Sequence, residues 1–435
     1  MLGLATVIGP AASAQSPESP VPAPVYGPQV LEATLLREPA PAAIPDPLDL
    51  AASLAANGHP LVEAASAEAD ALESEYRGTR WLRYPNLSVE ALATTRGSTY
   101  ADRDGLALNA AIEQPLWTGG RISNQIDRAQ ANARAGVDRV SEAERDIVLQ
   151  VVGAYYDMVL AQERSQVLQA SLVDHQRLLG AIGRRVEQEV SPRADLTLGR
   201  SRTAQVELDL ATTTEARDRA RLRLLELTGG VEVAPELPPS SMVEVLPPED
   251  EALTEALSCS PSLAALTDLI DVAQADRAVA HSQLLPELLL QLSQNEITGA
   301  RAAVVFRAQT GNGLSRLSAI DAADARIQRA LAEFGEAERT LREQLRRDYV
   351  LVQAARRRIE AGVVAADAAD EIIESYQRQF IAGRRSWLDV MNATRESASA
   401  RLSEVDARVT AAAGTARILA LTCRWQPERA VEAAQ

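Results

Sequence analysis

The chain has 435 residues, 46% of them hydrophobic and 24% charged, so it can bury a large core and is not disordered as a whole. At roughly 150 residues per domain, its length fits about three domains or one long repetitive architecture. A formal net charge of -16 argues against a nucleic-acid partner, because phosphate would be repelled, and 3% aromatics is few for a deep apolar catalytic pocket.

Residues 1–14 are expected to be the remnant of a signal peptide. Leu2 to Ala14 is apolar and small, and Ala12-Ser13-Ala14 has the small-x-small pattern of a cleavage site, although a basic start is missing. No cysteine lies near that site to carry a lipid. Residues 15–48 hold nine prolines and are expected to be extended. No later stretch reaches the ~20 apolar residues of a membrane-spanning helix, so any entry into a membrane would be by strands.

Residues 49–230 and 251–423 read as two copies of one unit. Glu142-Ala143-Glu144-Arg145 recurs as Glu336-Ala337-Glu338-Arg339, 194 residues later. The same shift pairs Tyr155 with Tyr349, Asp195 with Asp389 and Leu227-Thr228 with Leu421-Thr422, without a gap. Upstream, Pro60 pairs with Pro261 and Pro85 with Pro286, each 201 residues apart. The difference places extra residues of the first copy in the loop between its strands.

Each copy reads helix, strand, loop, strand, long helix, turn, helix. In the first, a helix runs from about Leu61 to Arg80. Strands at 86–95 and 105–114 follow from alternation of residues such as Leu87, Val89 and Ala91 with Ser88 and Glu90. A long helix is expected at 118–188, on the order of 100 Å at 1.5 Å per residue, which suits a coiled coil or bundle. A helix at 191–228 has Ser191 as N-cap and Pro192 in its first turn. A proline-rich linker spans 231–250. The second copy is expected to hold a helix, strands at 287–295 and 302–309, a long helix at 313–382 and a helix at 386–422. A tail covers 424–435. Both faces of Leu288 to Leu292 are apolar, which leaves the lipid-facing side of the sheet open.

Four strands cannot close a useful barrel, since eight is the usual minimum for one chain. An unpaired backbone group in hydrocarbon costs several kcal/mol, so several copies are expected to share one barrel. Trp81, Tyr84 and Trp117 flank the strands where an interfacial aromatic girdle would sit; the other reading is core aromatics of a soluble α+β protein.

Gln114-Pro115-Leu116-Trp117-Thr118-Gly119-Gly120-Arg121, directly after a strand, resembles the helix-start motif of TolC-like outer membrane channels, with Pro115, Trp117, Gly119 and Gly120 as its marks. Gly383-x-x-Ser386-x-x-Asp389-Val390 resembles that family's second periplasmic turn, and Glu189-Val190-Ser191-Pro192-x-x-Asp195-Leu196 its first, with Glu189 where glycine is usual. The resemblance covers about Asp49 to Cys423. It implies a mostly α protein with a transmembrane β-barrel: a homotrimer sharing one twelve-stranded barrel, four strands per chain, joined to a long α-helical periplasmic tunnel. The location implied is the outer membrane of a Gram-negative cell.

A finer resemblance, in Ser375 to Ala393 and in Arg185 to Ser191, is to the branch serving type I secretion of large adhesins. It implies a membrane-fusion adaptor, an inner-membrane ABC transporter and an exported protein as partners. An efflux duct for drugs or metals with a proton-driven pump is the nearer alternative; a soluble helical scaffold is one of another class.

The resemblance also implies a gate at the periplasmic tip. Asp389 matches the first position of an acidic ring, and Asn392 stands where a second acid is usual. Arg385, next to Arg384, matches a latch arginine, Asp195 its acceptor, and Phe380 replaces a latch tyrosine. Asp389 reads equally well as a helix cap three residues after Ser386. The positions of Cys259 and Cys423 imply an equatorial disulfide in an oxidising periplasm. No catalytic constellation, resident metal or cofactor is expected. Gly311-x-Gly313 is read as a bend, and His175 as a solvated helix residue.

Overall fold

The structure, a computed structural model, describes residues 40–94, 105–238, 246–295, 299–308 and 315–427. The signal remnant, most of the proline-rich segment, the loop 95–104, part of the linker, the Gly311–Gly313 bend and residues 428–435 lie outside the described residues.

Proline divides the first helical region of each half into two. Helix α1 (Asp46–Gly58) has Pro45 as N-cap and Pro47 in its first turn, where a missing N–H costs nothing. It ends because His59 is extended ahead of Pro60, and the helical region is disfavoured before proline. Helix α2 (Pro60–Arg80) then starts, with His59 Nδ1 accepting from the Leu61 N–H. In the second half α5 (Glu249–Cys259) stops at an extended Ser260. Helix α6 (Pro261–Ser282) restarts there, capped by the Ser260 hydroxyl. The expectation of an extended segment through residue 48 and a linker through 250 is corrected at both ends: helices begin at Asp46 and Glu249.

The remaining elements repeat at fixed shifts. Strands β1 (Asn86–Thr94) and β3 (Glu287–Asn295) have bounds 201 apart. Helices α3 (Arg121–Glu187) and α7 (Ser315–Ile381) have 67 residues each, and α4 (Arg193–Leu227) and α8 (Trp387–Leu421) have 35 each, all 194 apart. Strands β2 (Gly105–Trp117) and β4 (Gly299–Arg307) also begin 194 apart.

Three expected bounds are corrected. Strand β4 starts at Gly299 rather than 302, because the left-handed Gly299 lets the chain reverse at once and pair Asn295 with Gly299. Strand β2 runs on to Trp117, past a bulge between Pro115 and Trp117 that follows from proline's lack of an N–H donor. Pro115 and Trp117 therefore belong to a strand end, and α3 begins after the turn. Pro192, not Ser191, is the N-cap of α4, and no side chain caps that helix.

The main core lies where the helical pairs meet. Val148, Val151, Val152, Tyr155 and Val159 recur at helical spacing on α3 and pack with Leu48, Ala51 and Ala55 of α1 and with Val409, Ala412 and Ala416 of α8. Ala252 and Ala256 of α5, shifted by 201 from Ala51 and Ala55, pack with Leu345, Tyr349 and Val352 of α7. Both repeated tyrosines anchor the linker: Tyr155 bonds Glu236 through its backbone N and O, and Tyr349 donates to Pro247 O at 2.7 Å. Burial pushes each hydroxyl up to about 12, so both stay protonated and able to donate. His175 is 2% exposed, and its Nδ1 donates to Ser171 O at 2.8 Å, which corrects the solvated reading.

Gly119 and Gly120 turn the chain from β2 into α3 with φ of 60° and 86°. A Cβ on Gly119 would lie 2.6 Å from Leu285 Cβ. Gly119→Ala is expected to cost about 1–3 kcal/mol from left-handed strain plus overpacking, read as a lower unfolding temperature of the purified protein.

Candidate functional site: the sheet faces and the helical tip

The strands form one sheet in the order β1-β2-β3-β4, all antiparallel. Residues directly opposite share a face, so the register sorts the side chains that alternation alone left open. One face carries Leu87, Val89, Leu108, Ile112, Leu290, Leu292, Val304 and Phe306. Among the described residues nothing covers it: Leu87 is 66%, Val89 67%, Val304 63% and Phe306 69% exposed. The other face carries Asn86, Ser88, Glu90, Asn109, Glu113, Gln291, Ser293, Arg301 and Arg307, with Leu289, which is buried, and Val305 among them. A sheet with one bare apolar face and one polar face suits lipid on one side and water on the other. Among the described residues no single helix is long and apolar enough to cross a membrane.

At the base of the sheet, Arg121 Nε donates to Glu287 Oε1 at 2.6 Å, tying the first turn of α3 to β3. Gln291 reaches Glu113 at 3.5 Å, and Arg307 lies 4.0 Å from the same carboxylate. Trp81 and Tyr84 stand exposed just before β1, ring centroids 5.0 Å apart, and Trp117 is exposed at the end of β2.

Near the main core, Cys259 and Cys423 are joined as a disulfide, Cα atoms 6.5 Å apart. Beside it Arg424 bonds both Glu251 and Glu255 of α5 at 2.7 Å. Together these fasten the end of α8 to the start of the second half.

The tip lies at the far end of the long helices, on the order of 100 Å of helix from the sheet. Two turns meet there around Leu178, Ile182, Trp387, Val390 and Met391, with Leu196, Tyr376 and Phe380 packed against them. Glu189 and Gly383 hold equivalent places in the two turns and are both left-handed, with φ of 58° and 71°. The Ser386 hydroxyl accepts from the Asp389 N–H and lies 2.9 Å from Asp389 Oδ2, so Asp389 belongs to a helix cap. Arg385 stacks over Tyr376 at 4.0 Å, donates to Gln379 Oε1 at 3.3 Å and lies 3.9 Å from Asp389. Arg185 of α3 covers the Phe380 ring at 5.4 Å. Asp195 makes no ion pair or side-chain hydrogen bond among the described residues, and Arg384 and Asn392 are exposed. Arg385 and Asp389 are thus brought together, whereas Asp195 is not joined to Arg385 within the chain.

A family profile described as outer membrane efflux protein matches residues 51–230 and 252–422. The chain belongs to that family. Its two matched segments are the two repeats. Among curated relatives, the cobalt-zinc-cadmium resistance protein CzcC of Cupriavidus metallidurans is 28% identical, covering 84% of this chain and 87% of the relative. The alkaline protease secretion protein AprF of Pseudomonas aeruginosa is 26% identical, covering 73% and 68%. Among solved structures, CusC superposes with a TM-score of 0.77 at 16% identity over 89% of this chain and 95% of that one. VceC of Vibrio cholerae does so with 0.74 at 15%, over 86% and 96%. The fold is therefore that of outer membrane channels with a helical tunnel reaching into the periplasm.

Sequence reasoning did not single out Arg185, Tyr376 or Trp387. The available signal was their place within about two turns of the repeated Gly/Glu and Ser positions, where side chains from different helices must meet. Because Glu189 bears a side chain at a left-handed position, Glu189→Gly is expected to stabilise the tip by up to about 1 kcal/mol, visible as slower hydrogen exchange at that turn. Reducing the disulfide, which closes a loop of 164 residues, should lower the unfolding temperature, with ~5 kcal/mol as the chain-entropy ceiling.

Proposed function

We propose that three copies of this chain share one twelve-stranded barrel in the outer membrane and continue as an α-helical tunnel through the periplasm. The observation that carries this is the four-stranded sheet with a bare apolar face and two unpaired edges, β1 and β4. Such edges are untenable in hydrocarbon unless another copy pairs with them. The number three comes from the family resemblance. The duct performs no chemistry: its work is done by shape and by the polar lining of the sheet's inner face.

The cargo in our reading is a protein, a large adhesin being its class, delivered by an inner-membrane ABC transporter through a membrane-fusion adaptor. The run from Ser375 to Ala393 and the likeness to AprF support type I secretion. A second reading, efflux of metal ions, is favoured by the greater coverage of CzcC. At the tip, Asp389 supplies an acidic ring in the assembled trimer. Arg385, Arg384, Phe380 and Asn392 shape the opening, and Asp195 receives an arginine from a neighbouring copy.

Light scattering of the detergent-purified protein should give a particle of three chains; a single-chain particle would refute the duct. Deleting the gene should remove one large protein from the culture medium and leave metal tolerance unchanged, whereas the opposite pattern would establish the efflux reading. Asp389→Ala should reduce the cation preference of the channel in planar bilayers several-fold, with a cost to the helix of about 1 kcal/mol. An unchanged preference would leave Asp389 as a cap alone.

A further inference from the structure

The outer edges of β1 and β4 have no partner among the described residues, and the internal repeat specifies what they meet. Strands β1 and β3 are related by a shift of 201 and β2 and β4 by a shift of 194. Both hairpins obey these shifts: Asn86 opposite Glu113 in the first becomes Glu287 opposite Arg307 in the second. The middle seam, β2 against β3, is therefore a template for β4 against a copy of β1. Within one chain β1 lies at the opposite edge of the sheet, so the strand must come from a second copy.

In the middle seam Glu113 stands opposite Gln291. Shifted by the repeat, Glu113 becomes Arg307 and Gln291 becomes Glu90. We infer that β4 of one copy pairs antiparallel with β1 of the next in the register that sets Arg307 directly opposite the neighbour's Glu90, closing the barrel with a cross-strand ion pair on its polar face. This rests on the multi-copy duct proposed above and adds its register.

Three observations converge on it. The two positions carry opposite charge although the template pair, Glu113 and Gln291, does not; the complementarity is thus independent of the repeat. The register also keeps the faces apart: Phe306 falls opposite Ala91 and Ala308 opposite Val89, apolar with apolar. A slip of one residue would put Arg307 among the lipid-facing side chains, and a slip of two would set it opposite Ser88 or Leu92. Finally, the ion pair is unfilled in the single chain. Glu90 has Asn109 as its cross-strand neighbour and no ion pair among the described residues, while Arg307 has only the long 4.0 Å approach to Glu113. Between two copies Arg307 would lie between Glu113 and the neighbour's Glu90, two carboxylates about one guanidinium.

The test uses the full chain in outer membranes, with Glu90→Cys and Arg307→Cys combined in one protein and mild oxidation before a non-reducing gel. Directly opposite residues on paired strands have the separation a disulfide needs, whereas diagonal ones do not. A covalent ladder ending at three chains is expected, roughly fivefold stronger than from the control pair Ser88→Cys with Arg307→Cys. A stronger ladder from the control, or none from either while light scattering still gives three chains, overturns the register and leaves the duct standing. A single-chain particle overturns both. Should the cysteine variants not assemble, the charge exchange decides. Glu90→Arg and Arg307→Glu should each lower the temperature at which the oligomer dissociates, and the two together should restore it. A double variant no better than the sum of the singles rejects the pair.

Discussion

In hydrocarbon an unpaired peptide N–H or C=O costs several kcal/mol, and the outer edges of β1 and β4 each present a row of them. The two hairpins satisfy one another at the middle seam but cannot bend four strands round far enough to satisfy their own outer edges. Everything about the sheet is consistent with that constraint. Most of its large apolar side chains are gathered on one face and left bare, while its charged ones and most of its polar ones lie on the other beside Leu289 and Val305. A soluble sheet of this size would cover the apolar face with a helix; here the helices leave from the strand ends.

The helical half obeys a different rule. In water a long helix is stabilised by burying one stripe of side chains against neighbours. The repeat supplies the neighbours. Helix α3 packs between α4 and α8, and the alanines of α8 let it approach closely. The equivalent faces of α7 and α4 keep Val350, Val364, Ile372, Leu208 and Leu222 exposed. Ile372 is the counterpart of Leu178, which lies buried in the tip cluster. The counterparts of Val350 and Leu222, Tyr156 and Ala416, are buried as well, and exposed apolar side chains at such positions are what an assembly seam leaves in a single copy.

At the tip, cap and gate need not compete. The Ser386 cap fixes Asp389 on the first turn of α8, so the same bond that completes the helix also holds a carboxylate at the tip, where the proposed gate would need one. The first turn lacks this device, since Pro192 has no side-chain group to donate or accept, and Asp195 has no side-chain partner among the described residues. The two halves share a backbone and differ in side-chain chemistry where the tunnel would close.

Local punctuation was legible from the sequence alone. Proline pairs, glycine turns and the change from a period of two to one of 3.6 marked nearly every element, and the gapless shift of 194 residues revealed the duplication. The net charge argued against a nucleic-acid partner, and four strands were too few for a self-closed barrel. These features are local because each residue's backbone preference acts within a few neighbours. Sheet face, the breadth of β2 and β4, the burial of His175 and the meeting of Arg185, Tyr376 and Phe380 were decided only in three dimensions. Leu288 to Leu292 is apolar on both sides, so only cross-strand register could say which side stayed bare. The tip contacts join helices almost two hundred residues apart, and no local preference encodes which side chains such helices bring face to face.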